Sequence, residues 1–549
     1  MAQSEVRGEA PAVEDTMSLT SRITDAPARS GRHGGRRRAG GPKTDRRTRR
    51  RRVLRWSATV LAVVILGTAG AGYLYYQHLN GNIQKGKRAG GDDSKAHRTA
   101  PNAAGQTPLN ILLIGSDSRN SKENVKLGGS RDHVGDPPLA DVQMLIHLSA
   151  DRKSAAMVSI PRDTRVHIPE CKDEKGKDFP PTDDIINVTL ARGGAGCTLL
   201  TWEELTGVYI DHWMTIDFAG VVRMADAIGG VEVCVNQNVW DHSTPSQRGG
   251  SGLKLTRGSH KVKGEQALQW LRTRHAWGSD LMRARAQHMY LNSMIRTLKK
   301  QNVFTDTGRL MDLAEAATKS LKVSEEIGTV KKLYDLGMEM KSVPTDRITS
   351  VTMPNVPDPD DPDNHVVPDK AKADKVWQML QDDVPFDKNG GKSGGKKDAG
   401  KDKPAKTPSV DAARLGVLVQ NATRTSTEAA VSQRASAIGQ VLVQKGYARA
   451  QADTSGSLAE DKTIVRYPSA DLEGDAQAVA KALGIPMSQV QKSTDVSGVT
   501  VVVGADWRTG TAYPKQSAPK AGDLPEGTDA ANASDKPTCM DVYKPYQWH

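Results

Sequence analysis

Cysteine is scarce: 549 residues hold four, at Cys171, Cys197, Cys234 and Cys539. None belongs to a CxxC pair, which argues against a structural zinc site. Long apolar runs are equally scarce. Trp56 to Tyr76 runs 21 residues without a charge, and no second span follows, so the pattern is single-pass. Net positive charge is scarce outside the N-terminus. Residues 1–55 carry 15 Lys/Arg against 6 Asp/Glu and so supply +9 of the net +12. The high isoelectric point therefore describes a tail, and that tail has no helix-turn-helix or zinc spacing with which to read nucleic acid.

What is present begins with that tail. Residues 1–55 are rich in Gly, Ser, Pro and Arg without apolar periodicity, and read as a disordered basic segment. Residues 56–76 read as a transmembrane helix, with Trp56 at one end and Tyr73, Tyr75 and Tyr76 at the other as interfacial aromatics. The Arg cluster at 46–55 places the N-terminus in the cytoplasm and everything beyond residue 77 outside. A cleaved signal is the alternative. Arg50-Arg51-Arg52-Val53-Leu54-Arg55 resembles a twin-arginine signal and Ala69-Gly70-Ala71 a small-residue cleavage site, but the length and aromatic end of the stretch favour an anchor. All four cysteines lie beyond the span, where disulfides persist. Cys171–Cys197 would close a local loop, and Cys234–Cys539 would tie the C-terminus to the main domain. Three pairings are open, with free thiols as a further reading.

The exported part divides by composition. Residues 77–107 form a polar, Gly-rich stalk, residues 108–385 an α/β domain, and residues 386–410 a Lys/Gly/Pro linker. Residues 411–507 alternate strand and helix patterns as a small α+β domain, and residues 508–549 are Pro/Lys/Asp-rich and read as disordered. Within the large domain, Val142, Met144, Ile146 and Leu148 alternate as a half-buried strand. Phe218, Val221, Val222, Ala225 and Ile228 repeat as a helix stopped by Gly229-Gly230. Gly264 to Leu271 and Asp280 to Leu298 read as further helices.

Charge gathers where apolar strands end. Ala155 to Val158 runs into Ser159-Ile160-Pro161-Arg162-Asp163-Thr164, Ile111 to Gly115 into Ser116-Asp117-Ser118-Arg119, and Asp141 opens Val142 to Ile146. Open α/β sheets build sites at strand ends. Arginine forks clamp phosphate oxygens, and carboxylates are needed when Mg²⁺ sits between phosphates. This assigns Arg119 and Arg162 as clamps and Asp117 and Asp141 as metal ligands. Arg272 and Arg274 follow, and Arg283 and Gln287 share one helix face at i and i+4.

Those segments resemble the LytR–CpsA–Psr family of cell-wall glycopolymer ligases over residues 108–385. The resemblance rests on Asn110 to Arg119, the Asp141 strand and Ser159 to Thr164. It extends through Ile186-Asn187, Gly229-Gly230-Val231, Gly264 with Ala267-Leu268, Arg272-Thr273-Arg274, and Arg283 with Gln287. Val417 to Asn421 and Gly504-Ala505-Asp506-Trp507 resemble the LytR C-terminal domain. The resemblance implies a central sheet flanked by helices, a small α+β C-terminal domain and one N-terminal transmembrane helix. It implies a membrane-anchored phosphotransferase, using Mg²⁺ or Mn²⁺, that moves a glycopolymer from a polyprenyl-pyrophosphate carrier to peptidoglycan. Arg119, Arg162, Arg272, Arg274, Arg283 and Gln287 would bind pyrophosphate. Arg162, Arg119 and Asp163 would be catalytic, with Asp163 orienting the attacking hydroxyl. The partners would be the lipid-linked polymer, peptidoglycan and membrane lipid, with no nucleic acid.

The chain departs from the family pattern twice. Leu139-Ala140-Asp141 stands where the family has Arg-Ser-Asp, and Arg283-Ala284-Arg285-Ala286-Gln287 where it has Arg-x-x-Arg-Gln. Arg285 falls on the far face of the helix, position 286 on the near one. Arg131 and Arg165 are candidates to compensate for the first loss. A catalytically weak binding or scaffold protein on the same fold is therefore the alternative, with a transcriptional attenuator as a remoter one.

Overall fold

The computed structural model describes residues 46–88, 96, 98–99, 101–102, 104–118, 121–128, 134–245, 247–301, 306–389, 406–425, 428–460, 462–514, 519–536 and 538–549. It divides into one unit ending at Gly72 and a second running from Tyr73 to His549. Helix α1 (Arg46–Asn82) contains the apolar stretch. Among the described residues it is one helix long and apolar enough to cross a membrane, with a mean hydropathy of 1.7 over its most apolar window.

A mixed sheet organises the second unit. Its strands in chain order are β1 (Gln84–Gly86), β2 (Leu109–Ser116), β3 (Ala140–Leu148), β4 (Ala155–Ile160), β5 (His212–Ile216), β6 (Leu321–Ser324) and β7 (Ile348–Thr352). Strand β3 runs antiparallel to both β2 and β4, while β5 is parallel to β2 and β7 is parallel to β4. Every side chain of β4 is buried, as befits a strand covered on both faces. On one face Leu112, Ile114, Leu145 and Val158 pack with Trp202 and Trp377. On the other, Met144, Leu148 and Met157 pack with Val343 and Ile348.

Strand β3 is not half-buried as its alternation implied. Gln143 and His147, its polar positions beyond Asp141, are buried as well, and each has partners. Gln143 accepts from the Trp202 indole at 2.7 Å and donates to the Ile186 carbonyl at 3.2 Å. His147 bonds Asn110 at 2.8 Å and Asp383 at 3.0 Å. Alternating polarity here records satisfied hydrogen bonds rather than solvent.

The helices near the site are α2 (Lys122–Gly128), α3 (Thr189–Thr206), α4 (Phe218–Ala227), α5 (Gly264–Arg272) and α6 (Asp280–Lys300). Asp217 caps α4 by accepting from the Gly220 N–H at 2.8 Å. Beyond α4, Gly229 and Gly230 adopt φ of 78° and 97°, a stop that side chains disfavour. A smaller five-stranded sheet forms the C-terminal domain from β8 (Gly416–Asn421), β9 (Arg449–Ser457), β10 (Ile464–Tyr467), β11 (Val490–Lys492) and β12 (Val499–Val503), in the order β9-β8-β12-β10-β11. Strands β9 and β11 carry too few apolar residues to stand out in the sequence.

Several segment boundaries are corrected. Residues 46–55 of the expected disordered basic segment are the helical start of α1, and Phe386 of the expected linker packs in the main core. Residues 84–86 of the expected stalk pair with β6 and belong to the main sheet. The expected disordered tail is folded over its described part. Its strand β13 (Ala530–Asn532) pairs antiparallel with β7 and completes the sheet order β1-β6-β5-β2-β3-β4-β7-β13. Ala533 joins one apolar cluster, and Met540, Val542 and Tyr546 join another. Both cysteine pairs are bridged, Cys171 to Cys197 and Cys234 to Cys539, with Cα separations of 5.3 and 4.6 Å.

Candidate active site

Antiparallel pairing brings the start of β3 to the same sheet edge as the ends of β2 and β4. Asp141 therefore stands beside Asp117 and Arg162, and the three line one cavity of about 390 Å³. Backbone geometry holds each in place. The Leu139 N–H donates to Asp117 Oδ1 at 2.7 Å, and the Asp117 N–H returns a bond to the Leu139 carbonyl at 3.2 Å. Arg162 donates from Nη1 to Asp141 Oδ1 at 2.8 Å, and its Nε lies 3.3 Å from Asp163 Oδ1. Its loop is pinned by the Asn187 N–H, which donates to the Arg162 carbonyl at 3.2 Å.

The far wall comes from α4, α5 and α6. Arg283 and Gln287 are 7% and 6% exposed, one turn apart on α6, and both line the cavity with Arg272 and Arg274. Arg272 is also a strut. It donates to the Leu127 and Gly128 carbonyls at 2.8 and 3.0 Å and stacks 4.6 Å above the Phe218 ring. An arginine at the end of one helix thereby caps the C-terminus of another. Apolar side chains, Val142, Ile216, Phe218, Val221, Leu268 and Leu271, form part of the lining as well.

The structure thus gathers Asp117, Asp141, Arg162, Arg272, Arg274, Arg283 and Gln287 in one cavity. Asp163 lines an adjoining recess instead. Arg119 and Arg131 lie outside the described residues. Arg165 turns away to Asp358 and Asp360, at 2.7 and 3.6 Å, and does not compensate at the cavity. Arg285 lines a separate hollow beside the tail, as its helix angle requires. Ala286, expected on the near face, is fully buried instead; the Trp270 indole donates to its carbonyl at 3.0 Å.

Sequence reasoning missed three titratable lining residues. Asp217 was legible as an N-cap before an amphipathic helix. Asp241 and His275 had no local signal, because long-range contacts bring them in. Asp241 is 1% exposed and accepts from the Ser251 and Ala276 N–H groups at 2.7 and 3.2 Å, which fixes the segment carrying Arg274 and His275. Gly250 (φ 134°) passes so close that a Cβ there would sit 2.9 Å from the Asp241 carbonyl.

Behind the cavity, the Ser159 hydroxyl and His288 Nε2 are 2.9 Å apart and join β4 to α6. Burial holds the His288 pKa down to about 4. Four arginines and four aspartates line the cavity, Asp117, Asp141, Asp217 and Asp241 being the latter. Among the described residues no group of three or more His, Cys, Asp or Glu is placed to hold a metal ion. Asp117 and Asp141 are the carboxylates at the end of β2 and the start of β3, and Asp141 is already bonded to Arg162.

Residues 73–382 match the LytR_cpsA_psr family, and residues 414–507 match a module described as LytR cell envelope-related transcriptional attenuator. The chain is 27% identical over 492 residues to the cell wall biosynthesis protein LcpA of Corynebacterium glutamicum, covering 84% of this chain and 88% of that protein. It is 25% identical over 312 residues to the polyisoprenyl-teichoic acid–peptidoglycan teichoic acid transferase TagT of Bacillus subtilis, covering 56% and 89% respectively. A solved LytR-Csp2A-Psr enzyme from Actinomyces oris aligns with 55% of this chain and 96% of its own, at 18% identity and a TM-score of 0.40.

Proposed function

The chain belongs to the LytR–CpsA–Psr family, and on that premise we propose that it transfers a glycopolymer from a polyprenyl-pyrophosphate carrier to peptidoglycan on the outer side of the membrane. One observation carries the reading: four arginines and the strand-edge carboxylates Asp117 and Asp141 converge on a cavity that also has an apolar side, formed by Val142, Ile216, Phe218, Val221, Leu268 and Leu271. Such a cavity suits a pyrophosphate with a hydrocarbon tail. Two disulfides in the second unit support the outward orientation, since such bonds persist in oxidising compartments.

In the proposed reaction an acceptor sugar hydroxyl attacks the phosphorus bonded to the polymer. The P–O bond to the polyprenyl-bearing phosphate breaks, and its electron pair leaves with polyprenyl phosphate. A phosphodiester remains between polymer and acceptor. Asp163 orients the hydroxyl and takes its proton. Arg162, Arg274 and Arg283 bind the phosphate oxygens and stabilise charge on the departing phosphate, where preorganised donors are most effective. Arg272 adds its charge from a position already braced against α2.

Charge balance favours a cation. The lining arginines and aspartates cancel, so a pyrophosphate diester would leave two uncompensated negative charges in a partly buried site. Asp117 and Asp141 would hold Mg²⁺ or Mn²⁺, since one or two carboxylates commonly suffice to bind such a cation beside substrate phosphates. When bound, the cation would supply neutralisation of the pyrophosphate charge.

The test uses the full chain in nanodiscs with a synthetic polyprenyl-pyrophosphate-linked saccharide and peptidoglycan strands. Release of polyprenyl phosphate that depends on the acceptor is expected. Binding of the donor without turnover would overturn the transferase reading in favour of a binding protein on the same fold.

A further inference from the structure

Beside the phosphate cavity lies a second recess of about 500 Å³, lined by Asp163, Arg274, His275, Asn364, His365 and Tyr543 among others. Arg274 and His275 line both spaces and so form the partition between them. The two differ in chemistry. The cavity gathers four arginines, whereas Arg274 is the one arginine among the described residues of the recess. The recess is thus built of mixed polar side chains around an aromatic ring, and it is ill suited to a second pyrophosphate.

The aromatic ring comes from the extreme C-terminus. Tyr543 is 57% exposed, yet the segment carrying it is fastened on both sides. Before it, Cys539 is bonded to Cys234, the Met540 N–H donates to the Cys234 carbonyl at 2.9 Å, and the Val542 N–H donates to Gln237 Oε1 at 2.9 Å. After it, Tyr546 is 3% exposed in an apolar cluster, and the Trp548 indole donates to the Val239 carbonyl at 3.1 Å. The Tyr543 N–H itself donates to the Ala276 carbonyl at 2.8 Å, two residues from Arg274. Its ring lies over Gly278 (φ 81°), where a Cβ would sit 3.6 Å from the Tyr543 Cβ. A segment this firmly held presents one large exposed aromatic, and it does so at the mouth of the site.

An exposed tyrosine face ringed by carboxylate, amide, imidazole and guanidinium groups has the chemistry that recognises a sugar. Ring C–H groups stack on the aromatic face, and planar polar side chains bond the hydroxyls. Nδ1 of His275, at the partition, is buried with no hydrogen-bond partner among the described residues. We propose that this recess is a sugar subsite of the transfer site, and that Tyr543, delivered by the disulfide-anchored tail, is its stacking platform. The inference rests on the transferase reading. Asp163, which lines the recess and not the cavity, favours the acceptor glycan over the donor's first sugar as the occupant.

The test uses the full chain in nanodiscs, with an N-acetylglucosamine tetrasaccharide as the glycan probe. Calorimetry should show that wild type binds it, that Tyr543→Ala weakens binding about tenfold, and that Tyr543→Phe stays within about threefold. Mass spectrometry should find the Cys234–Cys539 bond intact in each variant. No binding by wild type, equal binding by Tyr543→Ala, or a loss in Tyr543→Phe as large as in Tyr543→Ala would each overturn the proposal. Kinetics separates the sources. A rise in KM for the acceptor in Tyr543→Ala assigns the recess to acceptor glycan, and a rise in KM for the donor assigns it to the donor sugar. If neither KM changes by more than about twofold, the subsite is refuted. Should wild type bind the glycan but transfer nothing, the transferase reading fails while the binding comparison still decides the recess.

Discussion

Arg162 and Asp141 meet at 2.8 Å across the ends of two antiparallel strands, and the contact exists because β3 starts where β4 stops. Both side chains remain 21% and 30% exposed, so the pair contributes about 1 kcal/mol or less to stability. Its value is geometric. Asp141 holds the guanidinium at the cavity wall.

Replacing Arg162 should therefore separate activity from stability. Arg162→Ala is expected to slow polyprenyl phosphate release about a hundredfold or more, the cost of a lost preorganised donor. The unfolding midpoint should scarcely move. Arg162→Lys keeps the charge but loses the fork, and should fall between the two. Equal rates for all three proteins would remove Arg162 from the phosphate site.

Chelation tests the charge argument. Transfer by the full chain should stop in excess EDTA and return with Mg²⁺ or Mn²⁺. Asp117→Asn and Asp141→Asn should each raise the cation concentration needed for half-maximal rate. Undiminished transfer in EDTA would mean that the arginines alone balance the pyrophosphate.

His288 gives a stability signature. Its folded pKa is depressed to about 4 by complete burial, against an unperturbed 6.5. The unfolded chain therefore binds the proton more readily, and stability rises with pH in this window. The contribution is fully present above about pH 6.5 and is lost as pH falls towards about pH 4, in total roughly 3 kcal/mol. The unfolding midpoint should fall further on acidification in wild type than in His288→Gln. Parallel curves for the two proteins would show that His288 is not held neutral behind the site.

Arg162, Asp117 and Asp141 were legible because each directly adjoins an apolar strand, and strand ends are where α/β sheets place sites. Arg283 and Gln287 were legible from helical spacing. Asp241 and His275 were not, since folding alone brings them to the cavity. The tail was misread for a compositional reason. It is rich in Pro, Lys and Asp, and its few anchors, Met540, Val542, Tyr546 and Trp548, keep a two-residue spacing that Lys544 and Pro545 interrupt. Cys539 was the one clue to its docking.

Loss of that cysteine should free the tail. Cys539→Ser is expected to cost about 2–4 kcal/mol and to admit protease within residues 519–549 while the rest of the domain resists. Reduction of wild type should reproduce the cleavage. A tail that stays equally resistant in Cys539→Ser would mean that β13 and the Tyr546 and Trp548 contacts suffice to hold it.

Arg283 and Arg285 stand two residues apart on α6, with Ala286 beside them. Arg283 is 7% exposed and lines the cavity, so Arg283→Ala should slow transfer about a hundredfold. Arg285 points into a hollow shared with Asp529 and Asp535 of the tail, and Arg285→Ala should leave transfer within about threefold. Ala286→Arg would restore the arginine found in the family pattern. Position 286 is nonetheless fully buried beneath Trp270, and a guanidinium there has no route to water. The variant should lose about 3 kcal/mol or more without gaining rate. A faster enzyme of unchanged unfolding midpoint would show instead that α6 can turn position 286 towards the cavity, and that the missing arginine limits this chain.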